Sequence, residues 1–221
     1  MSKCYLCDQP ATTVEHLPPR VFFPARKDLR VEMGDAAPDL RRNLTTVPAC
    51  RDHNNAYATD DEYVAYAVAA YILNDEVADH QWSSKVLRAL CRSPGLAALM
   101  SRNARPVRVG NRDTMMFEAD RDRIEGVMRR VAQGILFNHQ GVVLPPLAWR
   151  CHLPSLVHGD ATTNEEAALA LICARFDAMP WHGANRRAFQ YQLHGVSGAP
   201  RLIRLRFYEA FDAILIETPG T

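Results

Sequence analysis

Two short pairs of soft metal ligands constrain this chain more than any other feature. Cys4 and Cys7 stand two residues apart near the start, and Cys50 and His53 repeat that spacing after an interval of 42 residues. The tight turn within such a pair brings both ligand atoms to one side, so the four side chains form a Cys3His set for a single tetrahedral zinc ion. Binding free energy of such an ion becomes folding free energy, which lets a segment with few apolar residues and a long loop hold a shape. Four protein ligands leave no open position on the metal. The zinc is therefore expected to be scaffolding, and any chemistry has to come from other side chains.

At 221 residues the chain is long enough to bury a substantial core. No basic stretch followed by an apolar one opens it, so a secretory signal is not expected and the chain reads as cytoplasmic. A disulfide framework is then unexpected too, and the isolated Cys91, Cys151 and Cys173 read as small buried apolar residues. No apolar run of about 18 residues occurs, which argues against a membrane partner. The formal net charge is +1. That excludes a protein advertising a long basic footprint for nucleic acid, but not one that touches a few phosphates locally.

Periodicity divides the rest. Thr12 to Glu15 reads as a short strand leading to His16, stopped by Pro18 and Pro19. Residues 21 to 43 show no period and read as a long loop with room for one short helical turn, and Leu44 to Val47 as a second strand ending at Pro48. Thr59-Asp-Asp-Glu62 is a capping box for a helix from about Asp60 to Leu73. Further helices are expected over Gln81 to Leu90 and Leu96 to Arg102. Strands are expected at Val107 to Val109 and Thr114 to Glu118 around a Gly110-Asn111 turn. Asp120 caps a helix whose Ile124, Val127, Met128, Val131 and Ile135 form the apolar stripe. Arg121, Arg123, Arg129 and Arg130 fall largely on its polar side and read as a solvated face. Trp149 to Val157, Phe189 to His194, Leu202 to Phe207 and Ala213 to Ile216 read as strands, with a helix after the Thr163-Asn-Glu-Glu166 capping box. The fold class is α+β: a zinc-stapled module over residues 1–60, a helical connector over 61–104, and an α+β domain over 105–221.

Between the two zinc pairs lie Glu15-His16, with Pro18 two residues on, and Asn43-Leu44; Asn54 directly follows the last zinc ligand. This order resembles the zinc-containing HNH endonucleases, and the resemblance covers about the first quarter of the chain. The Glu-His-x-Pro-Pro and C-x2-H-Asn variant is also similar to bacterial proteins that share the module. The resemblance implies a ββα-metal module of two strands and a helix around one divalent cation. It implies His16 as general base, Glu15 and Asn54 as ligands of a catalytic Mg²⁺ or Mn²⁺, and Asn43 as a brace for the loop facing His16. Phosphodiester hydrolysis needs a deprotonated water and a cation on the scissile phosphate, which an imidazole and hard oxygen ligands can supply.

The expectation is thus a metal-dependent HNH-type endonuclease acting on nucleic acid, DNA first, with a second copy of the chain as a further candidate partner. Arg20, Arg26, Arg41, Arg42 and Arg51 are candidates for phosphate contacts. The alternative is a catalytically silent zinc module that binds nucleic acid or a protein. Two departures from the family pattern favour keeping it in view. The helix after the last zinc pair opens with Asp60, Asp61 and Glu62 rather than basic residues, and the loop after His16 is long without a Gly pair. Separately, residues 1–55 carry eight Lys/Arg against seven Asp/Glu.

Overall fold

Why a short segment with two prolines and two Cys-x-x-ligand pairs holds its shape is visible in the backbone bonds. A computed structural model describes residues 2–71, 74–145, 148–154, 156, 163–195 and 200–218. Lys3 bridges Pro10, and the Cys4 N–H donates to the Gln9 carbonyl at 2.9 Å, closing the turn that carries the first cysteine pair. Strand β1 (Thr13–His16) then pairs antiparallel with β2 (Thr46–Ala49), Glu15 opposite Val47 and His16 opposite Thr46. Pro48 lies inside β2 rather than at its end. A proline is tolerated there because the sheet has only two strands, so β2 has a free edge. The Pro48 carbonyl still accepts a bond from the Tyr5 N–H at 2.9 Å.

The stretch between the strands corrects the loop expectation. Helix α1 (Arg26–Met33) forms within it, flanked by short 3-10 turns at Arg20–Phe22 and Gly34–Ala36. Eight residues are too few to show a period, and the anchoring is tertiary. Leu29 is fully buried, Arg26 Nε donates to the Ala37 carbonyl at 3.0 Å, and Gly34 closes the helix at φ +60°.

Helix α2 (Arg51–Ala56) follows β2 directly, and α3 (Ala58–Ala69) follows α2. The expected end of α3 at Leu73 lies outside the described residues. Tyr63 through Ala69 are all buried, so α3 is a central helix surrounded by protein. The next helical run starts earlier than its periodicity suggests, because Asp75 caps it. It comprises α4 (Glu76–Gln81), a wider π-type turn over Trp82–Val86, α5 (Leu87–Arg92) and, after the Ser93 cap, α6 (Pro94–Met100). A hairpin of β3 (Arg105–Val109) and β4 (Arg112–Met116) leads to α7 (Arg121–Gln140), capped by Asp120 and ended by Gly141 at φ +67°.

The remaining elements are β5 (Trp149–His152), α8 (Thr163–Phe176), β6 (Phe189–His194), β7 (Leu202–Phe207) and β8 (Phe211–Glu217). The expected continuation of β5 to Val157 falls outside the described residues. So do the side chains of the 163–166 capping box. β5, β8, β7 and β6 form one antiparallel sheet in that order. The molecule is mixed α+β, and α7 is its spine: it packs on α3, on β2, and on β5, β7 and β8. Residues from Cys4 to Leu215 share one hydrophobic core that runs across the boundaries near 60 and 104. No helix among the described residues is long and apolar enough to cross a membrane.

Candidate metal centre and active-site cleft

The turn at residues 4–7 and the first turn of α2 converge. His53 Nδ1 lies 3.6 Å from Cys4 Sγ, 3.4 Å from Cys7 Sγ and 3.2 Å from Cys50 Sγ, and the Cys7 and Cys50 sulfurs are 4.0 Å apart. All four ligand atoms fall within 4.8 Å of one another. Zn–S bonds of about 2.3 Å and Zn–N bonds of about 2.0 Å define a tetrahedron with S–S edges near ~3.8 Å and S–N edges near ~3.5 Å. The four side chains therefore fit a zinc ion, with Nδ1 as the imidazole ligand. Burial raises the Cys4 thiol, but the backbone N–H groups of Cys50 and Leu6 and the His53 ring outweigh it and bring it down to about 7. A thiol so lowered is ready to bind metal as thiolate.

Behind this centre a narrow cleft is lined by Tyr5, Glu15, His16, His53, Tyr57, Asp61 and Arg130, among others. Both residues of the Glu-His pair reach it because β1 ends at His16. Alternation along a strand would otherwise send them to opposite faces. Burial lowers the His16 imidazole below its usual value, and Arg20 and then Arg41 lower it further. Burial also pushes Glu15 up to about 7, and Asp61 adds to this; the His16 N–H, bonded to Glu15 Oε1 at 3.1 Å, and Arg130 oppose it.

The two asparagines stand apart from that pair. Asn54 lies on α2, one position past His53, and does not line the cleft. Asn43 sits at φ +55° in a separate small hollow with Leu17, Thr45, Asn185 and Tyr191. Neither side chain bonds another described residue. So of the residues expected to hold a divalent cation, Glu15 is in the cleft and Asn54 is not, and a two-ligand site does not fit the arrangement.

Several cleft residues lie outside the sequence-based site, Tyr57, Asp61 and Arg130 among them. Asp61 is hidden in a helix start whose acidic character looked like capping. Arg130 is no part of a solvated face, since its side chain is only 15% exposed and is paired with Asp61. Its guanidinium lies 3.8 Å from the centre of the Tyr57 ring. Among the five candidate phosphate ligands, Arg20 and Arg41 are the two whose charge reaches His16, although Arg41 Nε also donates to the Phe23 carbonyl at 2.9 Å; Arg26 bonds the Ala37 and Asp35 carbonyls. No protein-family model matches the chain, and neither does any curated protein or solved structure.

Proposed function

We propose that this chain is a metal-dependent HNH-type nuclease that hydrolyses phosphodiester bonds, with DNA as the first candidate substrate. The observation that carries this reading is the end of β1, where His16 and Glu15 enter one cleft directly against the Cys3His centre. In this reading the zinc, when bound, holds the 4–7 turn to α2 and so fixes the wall that His16 faces. His16 takes the proton from the attacking water. Burial and the nearby Arg20 and Arg41 favour its neutral ring, the form that can accept a proton. Arg20 and Arg41, whose charge reaches His16, would also supply positive charge for a phosphate beside it. A hard divalent cation held by Glu15 would polarise the phosphate and stabilise the leaving oxygen. Asn43, in its separate hollow, keeps its proposed part as a brace, and Asn54, outside the cleft, is not carried forward as a cation ligand.

One observation favours the second reading, a silent module that binds nucleic acid or a protein. Arg130 already places a positive charge beside Glu15 and Asp61, where a cation would otherwise be attracted. Nicking of supercoiled plasmid and degradation of RNA, each with Mg²⁺ or Mn²⁺, decide between the two. Removing a general base costs typically about 10²-fold or more, so His16→Ala should cleave at least that much more slowly than wild type. Equal rates would remove His16 from the chemistry. Wild-type protein inert on both polymers with both metals would leave the silent module.

A further inference from the structure

The cleft beside His16 holds a cation supplied by a helix far along the chain. Arg130 projects from α7, donates through Nη2 to Asp61 Oδ1, and has its guanidinium carbon 3.8 Å from the centre of the Tyr57 ring. The side chains of the ion pair are 15% and 13% exposed. A guanidinium this far from water is costly unless its five N–H donors find partners. Asp61 takes one, and Arg130 makes no other hydrogen bond among the described residues. None of its nitrogens belongs to the fully buried polar atoms that lack a partner. Its other donors therefore have no protein partner among the described residues, and Arg130 lines the cleft together with Glu15 and His16.

We infer that Arg130 is the phosphate-binding residue of this cleft, and that Asp61 and Tyr57 are the positioning residues that aim it. A planar guanidinium with neighbouring open donors matches two oxygens of a phosphate, a geometry an ammonium cannot copy. The Tyr57 ring lies against the guanidinium and Asp61 holds Nη2, which leaves Nε and Nη1 as donors for a ligand in the cleft that Arg130 shares with His16. An ion pair serving only to join α3 to α7 has no need of donors left open beside a cleft. The inference takes its ligand class from the phosphodiester reading above, and it adds a residue from outside the HNH-like segment.

Two assays on the zinc-loaded, full-length protein keep the two claims separate. The first is calorimetric binding of inorganic phosphate. The second is hydrolysis of bis(4-nitrophenyl) phosphate with Mn²⁺, resolved into kcat and KM. Wild type should bind phosphate. Arg130→Gln should weaken that binding about tenfold or more, and Arg130→Lys, which keeps the charge but not the fork, by about threefold to tenfold. Asp61→Asn should raise KM for the diester more than it lowers kcat, a split that loss of helix packing alone does not produce. Zinc content and far-UV spectra identify any variant that fails to fold; if Arg130→Gln does, Arg130→Lys decides. Phosphate affinity unchanged in the folded Arg130 variants, or absent from wild type, overturns the assignment. Arg130-dependent phosphate binding in a wild type that hydrolyses no diester upholds it and sinks the nuclease reading instead.

Discussion

Cys4 is fully buried in the hydrophobic core, and that position explains why the zinc ligands have to be satisfied together. Its thiol is held by backbone N–H groups and by His53, so a vacated centre would leave a thiolate-prone sulfur beside apolar neighbours such as Tyr5 and Ala49. Cys4→Ser should therefore abolish stoichiometric zinc binding and cost at least ~3 kcal/mol, because metal binding contributes to folding directly. Metal analysis together with urea unfolding checks this, and a variant that keeps both zinc and stability would remove the scaffold role. At this scale the Cys3His cluster that could hold a metal ion was legible in the sequence because the spacing is local within each pair. Glu15 and His16 were legible for the same reason. Arg130 was not, because a charged residue on the polar side of a helix looks the same whether it meets water or Asp61.

Among elements, α7 sets the position of His16 from behind. Gly134 lies where a Cβ atom would come 2.5 Å from Leu17 Cδ1 and 3.3 Å from Cδ2. Leu17 follows His16 directly and is buried, so the helix can approach the end of β1 only where it has no side chain. Two effects compete in Gly134→Ala. Alanine gains about 1 kcal/mol of helix propensity, and overpacking costs about 1–3 kcal/mol. Stability should fall by about 0–2 kcal/mol, while the proposed nuclease activity falls further because Leu17 and His16 move together. Comparing melting temperature with plasmid nicking reads the two separately; activity that tracks stability would show that Leu17 absorbs the methyl alone. The long helices and the separate strands of the C-terminal part were readable from their periods, but their joining into one four-stranded sheet was not. Helix α1 was not, since a single buried leucine and the bond from Arg26 to the Ala37 carbonyl carry no periodic signal.

Over the whole molecule, the first sixty residues and the last hundred share a core at points no local pattern announces. Tyr208, at the tip of the β7–β8 hairpin with φ +47°, is fully buried, and its hydroxyl donates to the Phe22 carbonyl at 2.7 Å. Gln133 in the middle of α7 donates to the Tyr5 carbonyl at 3.4 Å and the Val142 carbonyl at 2.9 Å, and accepts from the Leu144 N–H at 3.2 Å. Such bonds make the zinc segment part of a larger cooperative unit. Tryptophan fluorescence, zinc release and far-UV dichroism should accordingly report one coincident unfolding transition. Tyr208→Phe should shift all three by about 1–2 kcal/mol, the cost of leaving a buried carbonyl without its donor. Zinc release well before the loss of dichroism would separate the N-terminal segment from the rest.

The sequence by itself determined the ligand set of the metal centre, the Glu-His pair beside it and the α+β alternation, because each rests on spacing along the chain. Only the tertiary structure decided which side chains share the cleft. It brought Arg130, Asp61 and Tyr57 to His16 and left Asn43 and Asn54 outside, because packing of α7 against α3 and β2 places residues that no sequence interval relates.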